Sequence, residues 1–559
     1  MLKFVLLLSC VVAVFAQERL TVTIPQGQLS GIRVSTGILQ PHFWAFRGIP
    51  FAEPPVGQLR FRNPVAHRGW GGVLDASSYG PSCPHRPLAG MPVPNSDEDC
   101  LYLNVFTPST TGNRPVMVWI HGGAFTLGDG SSQIYGPDFL VNDGGVIVVS
   151  MNYRLGIMGF LSSGDAAAQG NWAMKDQIEA LRWVRNNIQH FGGNPNSITV
   201  FGESAGSVSV HYLLLTQMGA GLFQRAIMQS GTANVPWGFQ TDPVAQYTAL
   251  GRRLGLTWSS SQDLANQLRT LSWRTIMDAQ TGLMDMPVPR GFQSFAWVPC
   301  VEPANSPEER FLVDTPVNIM TRGQVMTVPM IIGYTSDESL FMIREALLDN
   351  TVFDQFANNP HFYVPQSYNL NPVTQSAQVN EVATTFRNSY MGGQHPNDAI
   401  RYNWTTYCTD HQFSFFVDRS VRYHVRRQTQ PIYYYKFSYD GSLNMMKRLI
   451  LLADYPGAMH ADDIFYLFDV SNFPMPILPN NQAITIRRRM VRMWSNFATF
   501  GDPTPVTDSL ITTRWARYTL DGQNYLDIEA ESVNRNNPQN GRLTQWHTFQ
   551  DRFNPSYPG

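Results

Sequence analysis

The stretch ITVFGESAGSVSVHYLLL, residues 198–215, predicts a buried strand, a tight turn and a helix in direct succession. The run Ile198–Phe201, rich in β-branched and aromatic residues, is typical of a strand, and Ser207–Leu215 is typical of the start of a helix. Between them, residues 202–206 fit the pattern G-x-S-x-G, which holds a serine on a strained turn between a strand and a helix. We therefore predict that Ser204 is a nucleophile.

A second glycine-containing turn, His121-Gly122-Gly123-Ala124-Phe125, directly follows the strand-like run Val116–Ile120. A glycine pair lets the backbone approach a substrate carbonyl and aim its amide N–H groups at a developing negative charge. We expect the amides of Gly123 and Ala124 to form an oxyanion hole, with Ala205 as the third donor. The alternative is an ordinary glycine turn after a strand, and the G-x-S-x-G stretch downstream favours the oxyanion hole.

A nucleophilic serine on such a turn needs a base, which follows it in chain order. Among the twelve histidines, His460 has both a suitable setting, Gly457–Asp463, and the right place in this order. His211 is better explained as a packing residue of the helix after the turn. His121 is better explained as a brace for the glycine turn.

The acid that orients the base should lie between the serine and the histidine in the chain. Asp337 and Glu338 come shortly after the strand-like run Pro329–Gly333, where this type of scaffold holds its orienting carboxylate. The spacing leaves both residues open as the acid.

Short apolar runs alternate with helical patterns along the chain. The runs that predict buried strands are Val116–Ile120, Val146–Ser150, Ile198–Phe201, Arg225–Gln229, Pro329–Gly333 and Ile432–Phe437. Asn171–Phe191 has apolar residues at helical spacing and ends at Gly192-Gly193-Asn194-Pro195. This alternation predicts the α/β class, with a large, mostly parallel central sheet flanked by helices. We find no linker or repeat, so residues 17–559 are predicted to form a single domain.

The first 16 residues differ from the rest of the chain. Lys3 precedes the apolar run Phe4–Phe15, and small residues at Val14 and Ala16 predict a signal peptide, residues 1–16, cleaved before Gln17. The run is too short to span a bilayer, and no later stretch reaches 18 apolar residues. We therefore expect a secreted, extracellular protein without a transmembrane anchor.

The composition of the chain indicates which partners and cofactors to expect. Hydrophobic residues make up 43% of the chain and charged residues 15%, which is ample for a large core. A formal charge of −2 leaves no excess of positive charge for binding nucleic acid, so nucleic acid is not expected as a partner. No Cys-x-x-Cys or paired Cys/His spacing occurs, and we expect neither a metal site nor a cofactor. Asn403-Trp404-Thr405 is an N-glycosylation sequon.

Four cysteines remain once Cys10 has left with the signal peptide. Four cysteines in an oxidising compartment suggest two disulfides, for which three connectivities are possible. Cys83 and Cys100 are close in sequence and form the expected local pair, which leaves Cys300 to pair with Cys408. The alternative for Cys300 and Cys408 is two buried free thiols.

Several motifs carry a family resemblance. Besides the two turns, they are Arg47-Gly48-Ile49-Pro50-Phe51-Ala52, Ser96-Asp97-Glu98-Asp99-Cys100-Leu101-Tyr102-Leu103-Asn104, Asn152-Tyr153-Arg154-Leu155-Gly156 and Phe191-Gly192-Gly193-Asn194-Pro195. With them the chain resembles the type-B carboxylesterases, the cholinesterase/carboxylesterase branch of the α/β-hydrolase fold, over residues 20–550. Bile-salt-activated lipase and insect secreted esterases are among the nearer relatives by this resemblance.

The resemblance implies a role for each matching residue. It implies Ser204 as nucleophile, His460 as base and Glu338, rather than Asp337, as the acid. It implies an oxyanion hole of Gly123, Ala124 and Ala205, and a Cys83–Cys100 disulfide. The implied activity is hydrolysis of carboxyl esters through an acyl-enzyme, on a small-molecule or lipid ester.

The chain differs from two groups of the family at positions that affect which substrate is expected. Cholinesterases carry a Trp between their first two cysteines that binds a quaternary ammonium group, whereas residues 84–99 here contain no Phe, Tyr or Trp. Juvenile hormone esterases typically carry Gln before the nucleophile, where this chain has Glu203. Choline esters and juvenile hormone are therefore less favoured substrates than general carboxyl esters.

Three functions are compatible with these patterns. The favoured one is a general carboxylesterase or lipid-ester hydrolase, and the second is a specialised hormone or odorant esterase. The third is a catalytically silent binding protein of the neuroligin type, although such proteins usually lose the serine or histidine. Phe295 and Trp297 match a segment that shapes the acyl pocket of the family, and Met445-Met446 with Leu449–Leu452 could form an apolar lip. Both sets are better explained as ordinary core.

Overall fold

The computed structural model of the chain describes residues 17–35, 42–85, 95–281, 295–349, 351–469 and 480–559. Its strands in chain order, β1 to β13, are Arg19–Ile24, Gly27–Ser35, His42–Pro50, Val73–Asp75, Tyr102–Thr107, Arg114–Ile120, Ile147–Met151, Gly193–Glu203, Arg225–Gln229, Met330–Thr335, Ile432–Phe437, Asn524–Ile528 and Val533–Asn536. The predicted signal peptide, residues 1–16, lies outside the described residues.

These strands form one sheet in the order β1-β2-β3-β5-β7-β6-β8-β9-β10-β11-β12-β13, with β4 beside β2. From β7 across to β12 every neighbouring pair is parallel. The strands at the two edges pair antiparallel, except that the short β4 pairs parallel with β2. The predicted large, mostly parallel sheet is confirmed, and the six predicted strands all belong to its parallel part. The N-terminal antiparallel strands escaped prediction because strands such as β1 alternate exposed and buried positions rather than forming apolar runs.

Helices flank this sheet. In chain order, α1 to α16 are Asp138–Asn142, Gly156–Phe160, Trp172–Asn187, Ala205–Leu215, Pro243–Arg253, Ser261–Thr270, Trp273–Thr281, Pro316–Thr321, Phe341–Leu348, Thr351–Asn358, Ser376–Met391, Arg401–Thr409, Phe415–Val425, Met445–Leu449, Asn481–Phe500 and Leu543–Phe553. The predicted helix 171–191 corresponds to α3 and a following 3₁₀ turn, which ends at Gly192 with φ of 80°. No helix in the described part of the chain combines the length and apolarity that a bilayer span requires.

Strand β6 shows how the core divides between the two faces of the sheet. Val116, Val118 and Ile120 pack in one buried cluster, and Met117 and Trp119 pack in another. This alternation follows from the two-residue period of a strand. Helices α3 and α4 contribute to the first cluster, and α1 and α15 to the second. A sheet covered on both faces explains why its parallel strands are almost continuously apolar.

The parallel strands bring three predicted segments to one edge of the sheet. Strands β6, β8 and β10 run in the same direction and end at Ile120, Glu203 and Thr335. The glycine turn, Ser204 and Glu338 each follow one of these ends. Ligands of such sheets bind at the carboxyl ends of the strands, so this edge is where a functional site is expected.

The cysteines divide into one disulfide and two thiols. Cys83 and Cys100 form a disulfide with a Cα–Cα distance of 4.9 Å, as predicted. The predicted pairing of Cys300 with Cys408 is wrong, because both are free and buried. Hydrogen bonds with Asn171 at both its N–H and its C=O hold the backbone of Cys300 beside the start of α3, whereas Cys408 lies within α12. Each thiol is therefore fixed in a different part of the core.

We predict that a polypeptide of residues 17–559 exposes its two thiols, Cys300 and Cys408, only on unfolding. Both free cysteines are buried, and burial raises the pKa of the Cys300 thiol to about 12, which suppresses its reactive thiolate. Titration with Ellman's reagent should therefore detect no reactive thiol in the native protein and two reactive thiols after denaturation in guanidinium. Four reactive thiols without reduction would contradict the Cys83–Cys100 bond, and none after denaturation would restore the Cys300–Cys408 pairing.

Candidate active site

Ser204 sits on the tight turn that joins β8 to α4. Its backbone has φ of 57° and ψ of −124°, a combination that costs a non-glycine residue strain energy. A Cβ atom on Gly202 would lie 2.6 Å from the Gly206 backbone, and one on Gly206 would lie 2.0 Å from the Ile120 carbonyl oxygen. The small residues two before and two after the serine are therefore a steric requirement of the turn, as the sequence predicted.

His460 and Ser204 meet across 256 residues of sequence. The imidazole Nε2 of His460 lies 2.8 Å from the Ser204 hydroxyl oxygen, within hydrogen-bond distance. His460 belongs to a loop after α14, and the next residue, Ala461, has φ of 66°. The structure thus brings the predicted nucleophile and the predicted base together.

Glu338, and not Asp337, completes this chain of hydrogen bonds. Its Oε2 lies 2.6 Å from Nδ1 of His460, and its Oε1 accepts a hydrogen bond from the Thr335 amide. The Glu338 side chain is fully buried. The neighbouring Asp337 instead accepts hydrogen bonds from the hydroxyls of Ser336 and Tyr402. The preference for Glu338 that the family resemblance implied agrees with this geometry.

The glycine turn after β6 is a tight loop beside the serine. Gly123 has φ of 108° and Ala124 has φ of 53°, and the carbonyl of Gly123 accepts the amides of Thr126 and Leu127. Gly123 and Ala124 line the same cavity as Ser204 and His460. The third predicted donor, Ala205, is the first residue of α4, so its amide has no acceptor within the helix.

His121 supports this loop, as predicted, and does not reach the serine. Its ring stacks on Tyr153 with centroids 4.3 Å apart, and the Tyr153 hydroxyl donates to the His121 carbonyl. Burial lowers the pKa of His121 to about 4, so it is neutral at physiological pH. The other histidine considered, His211, is buried on α4 with its Nε2 3.0 Å from that of His424. Its ring is thus part of the core.

Two further carboxylates surround His460, and sequence reasoning assigned them no contact with it. Oε1 of Glu203 lies 3.2 Å from His460 Nε2. Asp463 is fully buried and accepts hydrogen bonds from Gln229 and Tyr435, both at 2.9 Å. Acidic residues beside the predicted nucleophile and base are the signal that could have revealed this cluster.

The cluster sets the charge of the imidazole. Burial favours neutral His460, but Glu203, Glu338 and Asp463 outweigh it and raise the pKa of His460. Burial also raises the pKa of Glu203, so this acid and the imidazole compete for protons. The protonation state of His460 therefore depends on the charge of its neighbour Glu203.

A cavity of about 370 Å³ opens onto Ser204 and His460. Aromatic and aliphatic side chains make up most of its wall, namely Leu127, Ile134, Tyr135, Trp237, Phe295, Phe341, Phe413, Met446, Ile450, Met459 and Ile464. Phe295, Met446 and Ile450 thus belong to the wall, while Trp297 and Met445 are buried in the core. Within the described residues, no group of His, Cys, Asp and Glu could hold a metal ion. The cavity suits a largely apolar ligand.

A serine, a histidine and a buried carboxylate linked in this order at the edge of such a sheet define a serine hydrolase of the α/β-hydrolase fold. A model of the carboxylesterase family matches residues 18–546, and the chain belongs to this family. It is a carboxylesterase, an enzyme that hydrolyses carboxylic esters.

Known relatives span several kinds of esterase. The chain is 33% identical to a carboxylic ester hydrolase of Bombus ignitus, over 82% of this chain and 81% of that protein. It is 32% identical to an acetylcholinesterase of Bungarus fasciatus, over 94% and 85% of the two chains. A solved structure, juvenile hormone esterase from Manduca sexta with OTFP covalently attached, superposes with a TM-score of 0.83. It is 26% identical and covers 96% of this chain and 99% of that one.

We predict that Gly123→Ala destabilises the protein. A Cβ atom there would lie 2.2 Å from the Leu127 carbonyl oxygen, at a φ that costs a non-glycine residue about 1–3 kcal/mol. Urea unfolding should show a lower free energy of unfolding than in the wild type. Gly71→Ala is the control, because a Cβ atom there meets nothing within 4 Å. Equal stability of the two variants would contradict the close approach of Gly123 to the Leu127 carbonyl.

Proposed function

We propose that this carboxylesterase acts outside the cell and cleaves carboxyl esters through an acyl-enzyme on Ser204. The observation that carries the proposal is the continuous chain of hydrogen bonds from Glu338 through His460 to Ser204. In this chain Ser204 is the nucleophile, His460 the general base and Glu338 the acid that orients the imidazole.

Catalysis then follows two steps. Nε2 of His460 takes the hydroxyl proton as the Ser204 oxygen attacks the ester carbonyl, and Glu338 stabilises the imidazolium that forms. The proton passes to the departing alcohol as the C–O bond breaks, which leaves an acyl-enzyme. A water molecule, deprotonated by the same imidazole, then releases the acid and restores the serine.

The oxyanion of each tetrahedral intermediate is assigned to the amides of Gly123, Ala124 and Ala205. The cavity-lining position of the first two, and the unpaired first-turn amide of Ala205, support this assignment. Each such donor typically stabilises the transition state by about 3 kcal/mol. Because these donors belong to the backbone, their geometry depends on the two tight turns and not on side chains.

The proposal also includes secretion of the protein and its N-glycosylation. The signal-like residues 1–16 and the Cys83–Cys100 disulfide support secretion, since disulfides persist in oxidising compartments. Asn403 is exposed on α12, which supports its use as a glycosylation site. Among substrates, the wall of the cavity supports a small-molecule or lipid ester with apolar groups.

The other candidate functions differ in what supports them. A silent binding protein would not need the serine, histidine and acid in hydrogen-bond contact, so the geometry favours catalysis. Juvenile hormone esterases are among the relatives, yet this chain carries Glu203 beside the nucleophile. Residues 86–94 of the loop that lacks the cholinesterase Trp lie outside the described residues. A general ester hydrolase therefore remains the proposal.

We predict that a fluorophosphonate probe labels Ser204 and that Ser204→Ala abolishes both labelling and hydrolysis of p-nitrophenyl butyrate. Without the hydroxyl there is no nucleophile for the acyl-enzyme, and turnover should fall to the background of the assay. Ser209→Ala is a matched control, because this buried serine of α4 contacts Gln177 rather than the cavity. A wild-type protein that neither reacts with the probe nor turns over ester would refute the proposed mechanism.

We predict that Glu203→Gln moves the acidic limb of the pH profile of kcat/KM to lower pH. The Glu203 carboxylate helps to raise the pKa of His460, and only neutral His460 can accept the serine proton. Removing this negative charge lowers that pKa, so the base becomes available at lower pH. Glu381→Gln removes an exposed charge paired with Arg552 and serves as the control. If the acidic limb of the Glu203→Gln profile stayed at the wild-type pH, the electrostatic coupling between Glu203 and His460 would be contradicted.

A further inference from the structure

Asp462, two residues after His460, joins two segments of the cavity wall. Its Oδ1 accepts hydrogen bonds from the amides of Met446 and Lys447, at 3.0 and 3.3 Å. Its Oδ2 accepts one from the amide of Met459, at 2.8 Å. The side chain is fully buried, so these bonds replace all hydration of the carboxylate.

The segments joined in this way both carry residues of the cavity. The first is α14, which bears Met446, and Ile450 follows it directly. The second is the loop in which Met459 lines the cavity and immediately precedes His460. One carboxylate therefore hydrogen-bonds both the helix that bears part of the apolar wall and the loop that precedes the imidazole.

The side chain at the N-cap position of α14 does not accept the first-turn amides of this helix. Asn444, the N-cap residue, makes no capping hydrogen bond with its side chain. Its Oδ1 instead accepts from the Gly441 amide and the Tyr466 hydroxyl. The first-turn amides of α14 are thus satisfied across the cavity wall by Asp462, whereas helices usually use an adjacent residue.

The buried Lys447 ties the same helix to the loop ahead of His460. Its ammonium group donates to the carbonyls of Tyr455 and Gly457, at 3.0 and 2.8 Å, and pairs with Asp440. These bonds hold the loop onto α14, but they do not contact the residues that line the cavity. Asp462 hydrogen-bonds the backbones of lining residues in both segments, beside the apolar cluster in which Met459, Met446 and Ile450 also pack.

We propose that Asp462 is a positioning residue that sets which size of ester group fits between His460 and the wall formed by Met446 and Ile450. This inference rests on the proposed esterase function and adds a determinant of its substrate selectivity. An asparagine at this position has a single acceptor oxygen, which can serve either Met459 or α14. The wall and the imidazole would then shift relative to each other, and a displacement of about 1 Å can cost up to about a hundredfold in rate.

The test compares kcat/KM for two series of esters. One series varies the acyl chain of p-nitrophenyl esters, and the other varies the alcohol of butyrate esters. Met446→Ala shortens the wall directly and identifies the series that contacts it. Asp462→Asn and Asp462→Ser are the test variants. Asp508→Asn is the matched control, because exposed Asp508 also accepts two backbone amides, those of Leu510 and Ile511, and does not line the cavity.

We expect both Asp462 variants to change the ratio of kcat/KM between large and small esters by about tenfold, in the same series as Met446→Ala. Asp508→Asn should leave both ratios unchanged. Rates are expressed per molecule labelled by the fluorophosphonate, so that unfolded protein does not contribute. Asp462 variants that slow all esters by one common factor would overturn the inference while leaving the esterase function intact. A wild type that neither hydrolyses these esters nor reacts with the probe would instead overturn the proposed function.

Discussion

The turn between β8 and α4 depends on two close backbone approaches, and the remainder of the site is arranged around them. Gly206 lies so near the end of β6 that a single added carbon would meet the Ile120 carbonyl oxygen. This approach brings α4 against the end of β6 and leaves Ser204 at the sheet edge in a strained conformation. The glycine turn that follows β6 therefore adjoins the serine, and no side chain is required to bring them together.

A second constraint is electrostatic. His460 lies among three buried or nearly buried carboxylates, of which Glu338 holds Nδ1 while Glu203 lies beside Nε2. In a medium of low polarity these charges favour the imidazolium, the species formed in the proposed mechanism, over the neutral imidazole that this mechanism needs as its base. Asp463 also raises the pKa of the imidazole, from a position where Gln229 and Tyr435 hold it. The acid cluster thus shifts the pKa of the imidazole that, in the proposed mechanism, accepts the serine proton.

Much of this molecule could be predicted from local sequence. Six strands of the parallel part, helix α3 and the strand–turn–helix around Ser204 are local features, in which hydrophobic period and glycine placement dominate the energy. Strand β12, which pairs parallel with β11, was not predicted. Antiparallel strands such as β1 were missed, because their alternating pattern is weaker than a continuous apolar run. The pairing of Cys300 with Cys408 was predicted wrongly, because cysteine count carries no information on where two distant segments pack.

The sequence by itself indicated the fold class, the serine turn and the glycine turn through patterns of neighbouring residues, and it favoured His460 through its local setting and its place in chain order. Only the tertiary structure distinguished Glu338 from Asp337 by contact, because both follow the same strand and differ in which way their side chains face. It alone brought Glu203 and Asp463 to the imidazole and linked α14 to His460 through Asp462. These contacts join segments that are far apart in the chain, and their geometry is set by how helices and loops pack on the sheet.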